Sequence, residues 1–137
     1  MFVSARAEYA CLAMMELASR FGDKKPVRLV EVTEKHGIPK RFVVLILLQM
    51  KAAGLVKTVR GPSGGYTLSK SPDSITLNEI FSALERAEEP SERLGSDSSF
   101  GPALQKVWKR LVDVRAKVLR EVVLSELLPL MPMDYTI

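Results

Sequence analysis

The sequence predicts a mainly α-helical chain with one small β-hairpin, and three observations carry that prediction. Apolar residues recur at three- and four-residue spacing over long stretches, the mark of helices with one buried face. Two short β-friendly runs, Leu55 to Arg60 and Tyr66 to Leu68, flank the turn cluster Gly61-Pro62-Ser63-Gly64-Gly65. Just before that hairpin, two helical stretches are joined by a tight turn at His36-Gly37-Ile38.

The elements follow in order. Between Ser4 and Phe21, the residues Ala7, Ala10, Cys11, Met14, Met15, Leu17, Ala18 and Phe21 make one helical face, with Ser4 as N-cap. Cys11 lies on that face and reads as a small buried hydrophobe rather than a reactive thiol. Residues 22–26 form a loop. A short helix from about Leu29 to Lys35 turns Leu29, Val32 and Thr33 inward, and Gly37 stands where a C-cap needs a left-handed residue. Pro39 suits the first position of the next helix, because its missing N–H would be unpaired there. That helix opens with Lys40-Arg41, runs to about Ala53 and stops at Gly54. Its outer face reads Val44, Leu45, Leu48.

Two helices joined by a short glycine-containing turn make a helix-turn-helix pattern, and the hairpin follows at once. Helix, helix-turn-helix, hairpin is the order of a winged helix, with the "GPSGG" tip as its wing. Thr76-Leu77-Asn78-Glu79 is a capping box that opens a fourth helix with Ile80, Phe81 and Leu84 inward. The polar, Ser-rich stretch 87–101 reads as a loop. Pro102 starts the longest periodic segment, where Leu104, Val107, Trp108, Leu111, Val114, Val118 and Val122 recur up to the stop at Pro129 and Pro132. This helix, expected to reach about Leu127, is too long to bury both ends on its own domain. Its near-heptad stripe is expected to turn Trp108 toward the domain and Leu111, Val114, Val118 and Val122 toward a second copy across a two-fold axis. The expected organisation is a winged-helix domain over 1–86, a loop over 87–101, and a long C-terminal dimerisation helix with its tail over 102–137.

Bulk composition narrows the function. The chain has 137 residues, 47% of them apolar, which fits one domain with a real core. No apolar run is long enough to cross a bilayer, and the first residues lack the regions of a signal peptide, so a soluble cytoplasmic protein is expected, with no membrane partner. One cysteine and one histidine rule out an internal disulfide and leave a Cys/His metal site short of ligands. Residues 1–70 hold twelve Lys/Arg against five Asp/Glu, a balance of +7, whereas residues 71–137 hold eight against eleven, a balance of −3. A polyanion partner is implied for the first half alone. An enzyme with "GPSGG" as a phosphate loop fails on context: the glycines join two strands, no Lys-Ser/Thr pair follows, and no helix opens there. No catalytic residue is assigned.

The segments "SARAEYACLAMMELA", "HGIPKRF", "KAAGLVKTVRGPSGGYTLSK" and "ITLNEIFSALE" resemble the successive motifs of the Rrf-two family of bacterial transcriptional regulators, of the IscR, NsrR and CymR kind. The likeness is dense over residues 2–86 and thins to "VWKRLVDVRAKVL", which is similar to the family's dimerisation helix. The resemblance implies a homodimeric winged helix-turn-helix regulator, a repressor in the reading preferred here, on a near-palindromic operator of double-stranded DNA. It places the second motif helix in the major groove and the wing in the minor groove. Onto this sequence it carries Pro39, Lys40, Arg41 and Val44 as groove-facing residues. Arg60, Gly61, Pro62, Ser63, Gly64, Gly65 and Tyr66 become the wing, and Ser4 and Arg6 stand where the first helix reaches a phosphate.

Elementary physics supports part of this assignment. A helix N-terminus with adjacent cations attracts phosphate. Glycines let a hairpin backbone enter a groove only about 6 Å wide, and Arg60 can follow, drawn by its negative potential. Tyr66 and Pro62 also have plain structural uses, in packing and in the turn. A winged helix used for protein–protein contact is the alternative function.

The sequence departs from the family twice. Many members carry polar residues where this chain has Val44, Leu45 and Leu48, a face that either meets DNA or is partly buried. Cluster-binding members have three cysteines before the dimerisation helix. Here the corresponding positions fall near Pro90, Ser96, Pro102 and Gln105, so no iron–sulfur cluster or other cofactor is expected. The loop is read as a degenerate sensor region or the border of a pocket for a small-molecule effector.

Overall fold

Ser4 begins the folded chain as the sequence predicts, its Oγ accepting a hydrogen bond from the Ala7 N–H at 3.1 Å. A computed structural model describes residues 3–23, 25–85 and 98–129. Helix α1 (Ala5–Ser19) follows the cap and buries Ala7, Ala10, Ala13, Met14 and Leu17. Helix α2 (Leu29–His36) ends at Gly37, which takes the left-handed conformation at φ 64°. Helix α3 (Lys40–Ala52) is apolar almost all round, and spacing decides which side is buried. Val43, Ile46, Leu47 and Met50 enter the core, leaving Val44, Leu45 and Leu48 outside. Pro39 caps α3 from one position before the helix rather than occupying its first turn, its carbonyl accepting from Phe42 N–H at 3.0 Å.

The hairpin consists of β1 (Val56–Val59) and β2 (Gly65–Leu68), antiparallel, with Val56 opposite Leu68 and Val59 opposite Gly65. Val27, in the stretch between α1 and α2, adds a third backbone to the free edge of β2. Its N–H donates to the Tyr66 carbonyl at 2.9 Å, and the Tyr66 N–H donates back at 2.8 Å. One turn of 3-10 helix (Pro72–Ser74) leads into α4 (Leu77–Glu85), capped by Thr76 Oγ1, which accepts from Glu79 N–H at 3.2 Å. The Glu79 carboxylate pairs with Lys70 at 2.9 Å. Helix α1 lies at the centre, touching α2, α3, α4 and β2.

The C-terminal part departs from expectation in two ways. Helix α5 (Gly101–Glu121) stops short of Leu127, and Val122 is its C-cap rather than a residue of its stripe. The reason is local: two consecutive β-branched residues, Val122 and Val123, take extended backbone and bridge to Thr76. Leu77 N–H donates to Val122 O at 3.0 Å, and Leu124 N–H donates to Ile75 O at 2.9 Å. A short helix α6 (Leu124–Leu127) then plugs Leu124 fully into the core beside α1. Trp108 does not pack toward the domain either: it is 41% exposed. The later part of α5 meets the body through Leu119, packed against the core, and through Arg115, whose guanidinium lies 5.2 Å from the Phe81 ring centroid and 3.3 Å from Glu85. The loop expected over 87–101 lies largely outside the described residues, as do Pro90 and Ser96. Pro102 and Gln105 are exposed on α5.

Candidate nucleic-acid interface

The interface is built on a run without negative charge. From residue 35 to residue 72 the chain has seven Lys/Arg and no Asp/Glu, and this run spans the turn, α3 and the wing. Three of its cations are engaged within the fold: Lys35 with Glu16 at 3.0 Å, Lys70 with Glu79, and Lys51 with the Thr58 hydroxyl at 3.3 Å. Among the described residues, no carboxylate lies within ion-pair reach of Lys40, Arg41, Lys57 or Arg60, and all four are exposed. Lys40 and Arg41 sit in the first turn of α3, where the helix dipole adds to their positive field. The Arg41 guanidinium rests 5.1 Å from the Phe42 ring centroid, a contact that holds its position while leaving its N–H groups outward.

At the wing, Arg60, Gly61, Pro62 and Ser63 form an exposed tip. Gly61 has φ 108°, and its carbonyl accepts from Gly64 N–H at 2.9 Å, closing the turn. Gly64 and Gly65 are demanded by the fold itself. A Cβ on Gly64 would strike the Val59 carbonyl oxygen, and one on Gly65 would strike the Val27 carbonyl oxygen. Tyr66 packs partly buried against the core and is pinned by its two backbone bonds to Val27. Ser4 is spent on capping α1, and the Arg6 guanidinium donates to the Leu84 carbonyl at 3.3 Å, tying α1 to the end of α4.

Lys57 is the cation that the sequence reading missed. The signal was the strand alternation, which buries Val56 and turns Lys57 out. Also missed was Glu16, 94% buried on the inner face of α1. Its Oε1 accepts from His36 Nε2–H at 2.9 Å and from Lys35, while Arg20, paired with Glu31, stands 4.0 Å from Oε2. Burial acts to raise its pKa, but the His36 and Lys35 hydrogen bonds outweigh it and hold the carboxyl below its ordinary value. This network locks α1 to the end of α2, and so fixes the turn from which α3 emerges.

A second exposed surface runs along α5. Leu104, Val107, Trp108, Leu111, Val112, Val114 and Val118 are all exposed large apolar residues on one helix. Leu111, Val114 and Val118 also line a groove of about 630 Å³ that is floored by Phe81 and Leu119.

Most of the chain matches a known family model. The model for Rrf2, the iron-dependent transcriptional regulators, covers residues 3–129. The chain belongs to the Rrf2 family. CymR of Bacillus subtilis (strain 168), an HTH-type transcriptional regulator, is 32% identical over 127 residues, 93% of this chain and 89% of that one. Among solved structures, T. potens IscR superposes with a TM-score of 0.75 at 27% identity, over 98% of this chain and 96% of that one. The structure of CymR, the global cysteine regulator of B. subtilis, gives 0.74 at 31% identity, over 93% and 95%. The fold expected from the motifs, a winged helix-turn-helix domain with a long C-terminal helix, is the fold of these regulators, and the protein is a DNA-binding transcriptional regulator rather than an enzyme.

The iron of the family description finds no fitting set of donors among the described residues of this Rrf2 chain. Thiolate ligation needs several cysteines, and the sequence has one. Cys11 is half-buried in α1, and burial, reinforced by Glu8, pushes its thiol up to about 11. The single histidine is bound to Glu16. Among the described residues, no three His, Cys, Asp or Glu side chains gather as a metal site, and no helix is long and apolar enough to cross a membrane.

Proposed function

We propose that this Rrf2 protein is a homodimeric repressor of a near-palindromic operator, and that it works without an iron–sulfur cluster. The observation that carries the DNA-binding geometry is the placement of Lys40, Arg41, Lys57 and Arg60 on α3 and the wing, without carboxylate partners among the described residues and in a run free of acidic residues. The first helix of a helix-turn-helix crosses the DNA backbone and the second lies in the major groove. In that pose Pro39, Lys40, Arg41 and Val44 face the major groove, and Arg60 to Tyr66 reach the minor groove. Ser4 and Arg6, which also hold the Ala7 N–H and the Leu84 carbonyl, meet the flanking phosphates in this pose through their other N–H and O–H groups. The apolar stripe of α5, with Leu111, Val114 and Val118 at its middle, supports pairing with a second copy. Two winged helices so paired meet half-sites about one helical turn, or a multiple, apart.

A salt-dependent binding assay with duplex DNA tests the docking. Affinity falls steeply as salt rises, because each neutralised phosphate releases counterions. Arg60→Ala weakens binding by about 1–3 kcal/mol if the guanidinium reads a base edge. If it meets phosphate alone, the loss is even across sequences and the salt slope becomes shallower. Lys40→Ala and Arg60→Ala proteins that both bind like the parent refute the docking. Protein purified anaerobically with iron and sulfide stays colourless; a visible absorption band with stoichiometric iron refutes the cluster-free reading.

A further inference from the structure

The exposed face of α3 has an unusual chemistry for a helix that enters a DNA groove. Between Arg41 in its first turn and Lys51 in its last, the exposed residues are Val44, Leu45 and Leu48, with exposures of 44%, 42% and 62%. Gln49, the sole amide nearby, is partly buried, and its Oε1 is enclosed without a hydrogen-bond partner. The exposed middle of this face is therefore apolar, three aliphatic side chains in a row along the helix. All inward positions of α3 are filled by Val43, Ile46, Leu47 and Met50, so the outward trio is surplus to the core.

The major groove displays hydrogen-bonding groups on every base pair but one kind of apolar group, the C5-methyl of thymine. A Val or Leu side chain pressed against an amide or a carbonyl edge would leave that edge dehydrated and unpaired, at a cost; against a methyl it gains buried apolar area. Residues 44 to 48 cover four helical steps, about 6 Å along the axis, which spans roughly two base-pair steps of about 3.4 Å.

We propose that α3 reads its half-site chiefly through thymine methyl groups, with Val44 and Leu48 as the specificity-determining contacts and Lys40 and Arg41 as phosphate anchors. The proposal rests on the DNA-docking reading above and adds the base chemistry that the docked helix recognises. Each half-site then carries one or two thymines, on either strand, at the pairs beneath the middle of α3. Leu45, adjacent to Val44 on the helix, shares the contact at the groove wall.

The test separates the methyl from everything else in the base pair. Duplexes are enriched from a random-sequence pool with the purified protein, and the best binder is resynthesised with deoxyuridine replacing thymidine one position at a time. Deoxyuridine keeps every hydrogen-bonding edge and removes only the methyl. The expected result is a loss of about fourfold at one or two thymines in each half-site, the factor that one methyl-sized group is worth on burial. With Leu48→Gln or Val44→Ala protein, the same replacement has no further effect at its partner position. Both residues are surface-exposed, so neither substitution disturbs the core. A selected duplex that is bound sequence-specifically yet is indifferent to every deoxyuridine replacement overturns the methyl readout while sparing the docking. A methyl dependence that persists unchanged in both variants overturns the assignment to α3. Failure to bind any duplex overturns the docking and the readout together.

Discussion

Glu16 shows how one buried side chain orders a surface it never touches. Its carboxylate sits inside the core-facing stripe of α1 between Met15 and Leu17, and three cationic or polar groups converge on it from α1 and α2. Such an anion is tolerated because it is hydrogen-bonded and ion-paired. Replacing it by Gln keeps an acceptor for His36 but removes the charge, and is expected to cost about 1 kcal/mol at neutral pH, the difference between hydrogen bonds to charged and to neutral groups, measured by denaturant unfolding. The pH dependence has a definite sign. The folded pKa lies below the ordinary value of 4.5, so the unfolded chain binds the proton first as pH falls. The stabilisation is complete above about 4.5 and is lost as pH drops through the lowered folded value. A Glu16→Gln protein should therefore show a flatter stability profile between pH 5 and 3 (approximate bounds) than the parent, and an identical profile would remove Glu16 from this role. Nothing in the local sequence foretold the residue's burial. Helical spacing marks faces well, but a carboxylate that joins an apolar face becomes legible only when its partner, twenty positions on, is placed beside it.

At the scale of elements, α1 to α4 and the wing were readable because their signals are local. Ser4, Gly37, Thr76 and Gly61 each act within a few residues of their own position, and each appears where the pattern put it. The glycines carried a double meaning. Gly64 and Gly65, taken as a licence to enter a groove, are also the places where two backbones leave no room for a Cβ. The end of α5 was not readable, because the periodic stripe continues through Val122 while the backbone does not. What stops the helix is the long-range bridge of Val123 to Thr76. Trp108 departs from expectation for a related reason: a stripe reveals an apolar face without naming its partner, and the stripe of α5 is exposed from Leu104 to Val118. In the proposed dimer that face is covered by its counterpart. Leu111→Asp or Val118→Asp is expected to lower dimerisation and operator affinity together, because a carboxylate buried in the seam without a partner is costly. Analytical ultracentrifugation at micromolar concentration checks this, and a parent protein that sediments as a monomer refutes the pairing.

For the whole molecule, charge is divided as the functions are. The first seventy residues carry the net +7 that faces a polyanion, and the remainder carries −3. Four exposed cations, without acidic partners among the described residues, lie on α3 and the wing, and the apolar trio lies on α3 as well. In the proposed docking, positioning and recognition fall to different chemistries on one surface: charge for the phosphates, carbon for the bases. The backbone clasp between 75–77 and 122–124 has a further consequence. It fastens the root of α5 to the residues that open α4, so the long helix is an outrigger with a fixed mounting rather than a tethered rod. In the proposed dimer a pair of such outriggers would work as calipers, with the gap between the two reading heads set at the mounting and not at the heads. Leu77→Pro removes one of the clasp's donors at a position where the first helical turn tolerates proline. The altered protein should keep its half-site preference while accepting operators with the half-sites one or two base pairs closer or farther (approximate tolerance), checked by binding to a series of spacer lengths. An unchanged spacing requirement would mean that the gap is gauged elsewhere. In that proposed pair, the two valines that end the helix would be the set-screw of a measuring instrument whose scale is the pitch of DNA.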